Sequence, residues 1–121
     1  MPRVLIADDN PQNAELLDAH LDGTGFETKI AANGEETLTA VKDWRPDVVL
    51  LDVMMPKLSG FDVCERAKQQ LGLKDTYIVL LTAKGQEFDR MRGLQVGADL
   101  YMTKPFDPDA LVQKARAVLG M

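Results

Sequence analysis

The sequence is poor in the residues that form disulfides, thiolate metal clusters and membrane spans. Its 121 residues include one cysteine, Cys64, and one histidine, His20. A single cysteine can form neither an intramolecular disulfide nor a cysteine metal cluster, and we interpret Cys64 as a buried helix residue. No apolar run approaches the ~20 residues of a membrane span, and no signal-peptide pattern opens the chain. These absences predict a soluble, cytoplasmic protein.

Basic charge and phosphate-binding glycine motifs are also lacking. Lys and Arg number 14 against 19 acidic residues, which gives a net charge of −5. Direct binding to nucleic acid or to an anionic membrane needs a basic face, so we expect neither. Neither G-x-x-x-x-G-K-[ST] nor G-x-G-x-x-G occurs, which argues against a nucleotide-binding protein. The length and the hydrophobic content of 45% suit a single domain over residues 1–121.

The chain does contain a regular alternation of short apolar runs with helical patterns. The predicted strands cover residues 4–7, 26–30, 48–51, 77–81 and 100–102, and a helical pattern follows each of them. The dipeptide at 33–34 predicts a turn, and Val118 is among the residues expected to face inward from the last helix. Such alternation predicts a parallel sheet with helices on both faces. The run 26–30 alternates apolar with polar residues, so we place it at an edge.

Polar residues cluster where the predicted strands end. In strand order they are Asp8 and Asp9, then Asp52, then Thr82, and finally Thr103 and Lys104. Each is common at a strand end, where such residues cap turns and helices. Asp52 in the run VVLLDVMMP is harder to explain in that way, because burying an isolated carboxylate is costly. Ligands of open parallel sheets bind at the carboxyl ends of the strands, so the joint occurrence predicts a site there.

Three neighbouring carboxylates, a hydroxyl and an ammonium indicate a particular chemistry. The carboxylates repel one another, and a divalent cation would neutralise them. Oxygen ligands suit Mg²⁺, with Mn²⁺ as an alternative. A cation and an ammonium around a carboxylate are also what phosphoryl transfer uses, and a carboxylate can itself form an aspartyl phosphate.

Four segments resemble the receiver domains of two-component response regulators, of the chemotaxis-regulator type. They are IADDN at 6–10, LLDVMMPKLSG at 50–60, LLTAK at 80–84 and GADLYMTKPF at 97–106. The resemblance extends over the whole chain. It implies a flavodoxin-like, doubly wound α/β domain with strand order 2-1-3-4-5, in which the first and third strands are neighbours.

The resemblance also implies roles for the acidic residues and for two tuning positions. Asp52 corresponds to the phosphoacceptor, which takes a phosphoryl group from the histidine of a kinase or of a phosphotransfer protein. Asp8, Asp9 and Asp52, with the backbone carbonyl of Met54, correspond to the Mg²⁺ ligands. Met54 and Lys84 occupy positions that tune autodephosphorylation in this family. Because Met54 has no polar group to orient water, we predict a long-lived phosphoryl state.

The remaining implied roles concern the switch. Lys104 would contact a phosphoryl oxygen, and its bond to Pro105 is expected to be cis. Thr82 would move toward the phosphoryl group and Tyr101 would turn inward. That change would reshape the face formed by the fourth helix, the fifth strand and the fifth helix, and so control an output domain or a protein partner.

The segment DRMRGLQVGAD at 89–99 is similar to receivers that drive winged-helix DNA-binding regulators. Those receivers dimerise through charge pairs on the face just described. Arg90 and Lys114 match the basic members, whereas Leu100 and Ala110 stand where acids are expected. The usual pairing set is therefore incomplete, and we expect a different partner or output domain.

Two other functions fit parts of the pattern. A phosphohydrolase that forms an aspartyl phosphate would want a second acid two residues after Asp52, where this chain has Met54. A receiver-like protein that binds partners without phosphorylation would lack part of the site, and no site residue is missing here. We therefore expect no enzyme activity beyond the protein's own phosphotransfer and autodephosphorylation. His20 and Lys68 are interpreted as an ordinary helix residue and a solvated charge.

Overall fold

Five strands and four helices form the part of the chain that the computed structural model describes, which is residues 2–23, 25–53, 55, 58–70, 72, 75–82, 95–103 and 108–120. The strands are β1 (Arg3–Ala7), β2 (Glu27–Ala31), β3 (Val48–Asp52), β4 (Tyr77–Thr82) and β5 (Leu100–Thr103). The helices are α1 (Pro11–Leu21), α2 (Gly34–Trp44), α3 (Gly60–Glu65) and a C-terminal helix (Pro108–Val118). A π-helical turn, Arg66–Gln70, continues α3. The helix predicted between the fourth and fifth strands lies outside the described residues, apart from its end.

The strands form one parallel sheet in the order β2-β1-β3-β4-β5. This confirms the predicted strand order and the edge position of the second strand. In the register of β1 and β3, Ala7 lies opposite Leu51. The residues that follow Ala7 and Leu51 are therefore neighbours at the carboxyl edge of the sheet.

Side-chain caps fix where the helices begin. The side chain of Asn10 accepts hydrogen bonds from the backbone of Gln12 and Asn13 at 2.9 and 3.4 Å, and proline is the first residue of α1. The side chain of Asn33 accepts from the backbone N–H of Glu36 at 2.9 Å and donates to its carboxylate at 2.7 Å. The dipeptide at 33–34 is thus a helix start, with Asn33 as the N-cap, where the sequence predicts only a turn.

Two apolar clusters cover the two faces of the sheet. One joins alternate strand residues such as Leu5 and Val49 to the inner faces of α2 and α3. The other joins Val4, Ile6 and Leu50 to α1 and the C-terminal helix. Because successive side chains of a strand point to opposite faces, continuous apolar strands fill both clusters at once.

Two residues that the periodicity places inward are exposed. Ile30 is 41% exposed, although its neighbour Ala31 is buried. It lies on the edge strand, which pairs only with β1 in the described sheet. Val118 is 37% exposed because it is the last residue of the C-terminal helix, where packing against the sheet ends.

Lys68 is not the solvated charge that the sequence suggests. Its side chain is only 11% exposed, and its ammonium lies 2.8 Å from a carboxylate oxygen of Asp99. The ammonium also donates to the carbonyl of Thr76, and the same Asp99 oxygen accepts from the backbone N–H of Ile78 at 2.9 Å. This charged cluster ties the π-helical turn to the amino ends of β4 and β5.

A second charged cluster surrounds the chain's tryptophan at the amino end of the sheet. The guanidinium of Arg3 lies 5.4 Å from the ring centre of Trp44, and the ammonium of Lys29 lies 5.8 Å from it. Arg3 also donates to the Trp44 carbonyl at 2.5 Å and lies 3.6 Å from a carboxylate oxygen of Glu27. These contacts join the end of α2 to the starts of β1 and β2.

Cys64 is buried in α3, as predicted, and its thiol lies 3.7 Å from the Val96 carbonyl, to which it donates. Burial raises the pKa of the thiol from 9.0 to about 12. The unfolded chain therefore loses this proton at lower pH than the folded protein does. The resulting stabilisation is complete below about pH 9 and is lost as the pH rises toward 12.

No helix within the described ranges is long and apolar enough to cross a membrane.

We predict that Cys64→Ala removes part of the alkaline loss of stability. Between about pH 8 and about pH 10.5, the free energy of unfolding of the parent should fall by about 2 kcal/mol more than that of the variant. Urea unfolding of both proteins at the two pH values measures the difference, and other titrating groups cancel. Parallel pH profiles would contradict the assignment.

Candidate functional site

Three carboxylates meet at the carboxyl edge of the sheet. Asp8 and Asp9 follow β1, and Asp52 is the last residue of β3. One carboxylate oxygen from each lies within 4.8 Å of the others. Asp8 and Asp52 are only 3% and 6% exposed, whereas Asp9 is exposed. The structure thus brings together the three acids that the sequence selects.

The backbone around Asp8 holds it between two loops. Its N–H donates to the carbonyl of Ala31 at 3.1 Å, which joins it to the end of β2. Its carboxylate accepts from the N–H of Asn10 at 2.9 Å. Asn10 in turn caps α1, so the orientation of Asp8 is fixed by the start of that helix and by the edge strand.

Asp52 is held by close backbone packing. It lies opposite Leu81 in the β3–β4 register, and the next residue, Val53, donates to the Leu81 carbonyl at 3.0 Å. The N–H of Gly60 donates to the Val53 carbonyl at 2.9 Å. A Cβ atom on Gly60 would lie 2.5 Å from the Asp52 carbonyl oxygen and 2.8 Å from the Val53 Cα. Hydrophobic periodicity gives no sign of this requirement for a glycine.

The other predicted site residues are described only in part. Tyr101 is half-buried on β5, lies opposite Leu80 and packs against the cluster beneath α2 and α3. Thr82 ends β4, opposite Thr103. Four predicted residues lie outside the described residues: Met54, Lys84, Lys104 and Pro105. Arg90 lies outside them too.

His20 lies apart from the acidic cluster, as expected of an ordinary helix residue. Its Nδ1 atom is 3.5 Å from a carboxylate oxygen of Asp109. This exposed contact joins the last turn of α1 to the first turn of the C-terminal helix.

The donor set fits a hard divalent cation. All three side chains offer carboxylate oxygens, and Mg²⁺ typically takes one or two carboxylates and keeps several waters. Two of the three carboxylates are shielded from solvent, which strengthens their mutual repulsion and hence their preference for a cation. The geometry is therefore that of an acidic pocket suited to a metal ion.

Comparison with known sequences gives a consistent result. The sequence profile of the response regulator receiver domain matches residues 4–116. The DNA-binding response regulator MtrA of Mycolicibacterium smegmatis is 46% identical over 117 residues, which cover 97% of this chain and 50% of MtrA. The alkaline phosphatase synthesis regulatory protein PhoP of Bacillus subtilis is 41% identical, with coverages of 97% and 48%. The chain spans about half the length of these relatives.

Solved structures agree with the fold. The chemotaxis protein CheY4 of Vibrio cholerae superposes with a TM-score of 0.88 at 32% identity, covering 98% of both chains. The receiver domain of the Francisella response regulator 1452 superposes with a TM-score of 0.90 at 29% identity, covering 99% of this chain and 98% of that one.

We predict that Asp8→Asn stabilises the metal-free protein. Removing one of three close negative charges should raise the free energy of unfolding in EDTA by about 1 kcal/mol, because the amide oxygen can still accept from Asn10. Saturating Mg²⁺ should reverse the order, since the parent binds the cation more tightly. Chemical unfolding in EDTA and in Mg²⁺ measures both effects.

Asp43→Asn, an exposed change on α2, is the matched control and should alter neither value by more than about 0.5 kcal/mol. A destabilised Asp8→Asn protein in EDTA would show that the three carboxylates are not under mutual repulsion.

Proposed function

Because this chain belongs to the receiver domains of two-component response regulators, we propose that Asp52 is the phosphoacceptor of its phosphorylation-dependent signalling switch. The observation that carries the proposal is the position of Asp52. It is a nearly buried carboxylate at the carboxyl end of a central strand, beside two further acids. A lone structural carboxylate would not need that setting.

In the proposed reaction a carboxylate oxygen of Asp52 attacks the phosphorus of a phosphohistidine. An O–P bond forms, the P–N bond breaks, and the imidazole leaves with the electron pair of that bond. Asp8, Asp9 and Asp52, with the carbonyl of Met54, would hold the cation. When bound, Mg²⁺ (or Mn²⁺) supplies positive charge to the phosphoryl oxygens.

We further propose that Lys104 contacts the phosphoryl group and that its bond to Pro105 is cis. The ammonium of Lys104 would balance one phosphoryl oxygen. The protein's chemistry would then be limited to its own phosphotransfer and to hydrolysis of the acyl phosphate. Met54 and Lys84 would set the rate of that hydrolysis.

The proposed switch runs from β4 to β5. Thr82 would move toward the phosphoryl group, and Tyr101 would turn inward. Tyr101 lies on the strand next to β4, opposite Leu80 and two register positions before Thr103, the partner of Thr82. A shift at the end of β4 can therefore change the orientation of the Tyr101 ring. A change of ring orientation would bias the equilibrium between the inactive and the active conformation.

The proposed partners are a histidine kinase or a histidine phosphotransfer protein, and an output domain or protein that binds a face of the domain. This face would consist of the helix predicted between β4 and β5, of β5 itself and of the C-terminal helix. MtrA is named as DNA-binding, but this chain covers only about half of it. We propose that residues 1–121 form the receiver unit and that this unit itself does not bind DNA or membranes. Leu100 and Ala110 in place of acids support a contact other than the charge-paired dimer.

A cytoplasmic location stays a prediction from composition.

Incubation with Mg²⁺ and acetyl phosphate should add one phosphoryl group to the parent protein, measured by intact mass. Asp52→Asn should show no adduct, because the amide is not a nucleophile here, and EDTA should prevent the addition to the parent. Beryllofluoride serves as a stable analogue if the adduct decays quickly.

An adduct of equal yield on Asp52→Asn would place the phosphoacceptor elsewhere. Absence of any adduct or Mg²⁺-dependent change in the parent would instead favour a receiver-like protein that binds its partner without phosphorylation.

We also predict that Met54→Asn shortens the lifetime of the phosphorylated form. An amide at this position could orient the attacking water, so the half-life should fall about three- to tenfold. Decay of the phosphorylated mass after removal of the phosphodonor measures it, with Met55→Leu as a buried control that changes no polar group. Equal decay rates in parent and Met54→Asn would refute the prediction.

A further inference from the structure

Gly34, the first residue of α2, lies against the loop that follows Asp52. We call residues 53–59 the phosphoacceptor loop, of which residues 53, 55, 58 and 59 are described. A Cβ atom on Gly34 would overlap the backbone carbonyl oxygen of Leu58 and would lie 2.9 Å from its carbonyl carbon. It would also lie 2.5 Å from the Leu58 Cβ atom, which is fixed to the backbone, so the contact cannot be relieved by rotating a side chain.

The conformation of Gly34 does not itself require a glycine. It is a buried helical residue, and it is not among the residues with positive φ. Alanine is the better helix former, so the helix alone would favour a side chain at this position. The close approach of Leu58 is therefore the reason that the position is occupied by glycine.

Several hydrogen bonds hold the first turn of α2 in place. Asn33 caps the helix through Glu36, and the backbone N–H and the hydroxyl of Thr37 both donate to the Asn33 carbonyl, at 3.0 and 2.7 Å. Thr37 is completely buried. The strand before it, β2, accepts at Ala31 from the N–H of Asp8. The same chain segment thus contacts both the first acidic loop and the phosphoacceptor loop.

Two residues, Ser59 and Gly60, connect Leu58 to the backbone of Asp52. Ser59 follows Leu58 and caps α3 by accepting from the N–H of Asp62 at 3.2 Å. Gly60 then packs against the backbone of Asp52 and donates to Val53. Because Leu58 and Gly60 are separated by one residue, we expect a displacement of Leu58 to shift Gly60 and the backbone of Asp52 that Gly60 contacts.

We propose that Gly34 is a positioning residue for the phosphoacceptor loop: the close approach of its backbone to Leu58 sets the position of Asp52 relative to Asp8 and Asp9. This inference rests on the proposed function for its consequence, which is cation binding and phosphorylation. The geometric part of the inference concerns the metal-free protein alone.

The test is Gly34→Ala in the full 121-residue chain, with Thr39→Ala, an exposed change on the same helix, as control. In metal-free protein, the Gly60 amide should exchange with deuterium about tenfold faster in Gly34→Ala, because its bond to Val53 is loosened. The dissociation constant for Mn²⁺, measured from the electron paramagnetic resonance signal of the free ion, should rise about tenfold. Thr39→Ala should change neither value.

A folded Gly34→Ala protein with parental Gly60 exchange and parental Mn²⁺ affinity overturns the proposal. A lowered thermal midpoint with both values unchanged would mean that Gly34 is needed only for stability, which also overturns it. If Gly34→Ala does not fold, Asn33→Ala decides, because it loosens the first turn of α2 without adding bulk. Its Gly60 amide should exchange about threefold faster, and unchanged exchange overturns the proposal.

The two proposals can fail separately. If the parent binds no Mn²⁺ and takes up no phosphoryl group, the proposed function fails. Gly60 exchange, measured without metal, still decides whether Gly34 positions the loop.

Discussion

Asp8 and Asp52 are carboxylates held almost out of solvent at the ends of neighbouring strands, with Asp9 beside them. Such a concentration of like charge is unfavourable by itself, and the protein tolerates it because a rigid parallel sheet fixes the backbone on both sides. The sheet in turn needs two apolar clusters to hold it, one on each face. The core can thus be regarded as the support that keeps a repulsive group of acids in place and ready to bind a cation.

The loops at the carboxyl edge are fixed by backbone contacts as much as by side chains. The end of β2 contacts Asp8, the start of α2 contacts Leu58, and the start of α3 contacts Asp52. Each contact joins residues that are distant in the sequence. Together they explain how short loops, which are usually the variable parts of a fold, can hold functional groups in a defined arrangement.

Features of this protein that depend on local sequence patterns could be predicted, whereas contacts between residues distant in the sequence could not. The parallel sheet, the edge position of the second strand, the buried cysteine and the gathering of Asp8, Asp9 and Asp52 at one edge follow from hydrophobic periodicity and from the geometry of parallel sheets. The strand order itself was implied by the resemblance to receiver domains and not by the periodicity. The ion pair of Lys68 with Asp99 could not be predicted in that way, because a lysine on a helix carries no sign of a partner 31 residues along the chain. The glycine contacts were missed for the same reason. Periodicity also fails at the ends of elements, as the exposure of Ile30 and Val118 shows.

The position of Trp44 has a practical consequence for spectroscopy. It is the chain's single tryptophan, and its contacts with Arg3 place it at the amino end of β1, whereas the acids follow the carboxyl end. A strand of this length separates the two by roughly 15 Å. A paramagnetic or quenching ion at the acids would therefore affect its emission only weakly. Intrinsic fluorescence can thus follow the unfolding of this protein in the presence or absence of ions, and the signal will report the loss of packing between α2 and the sheet.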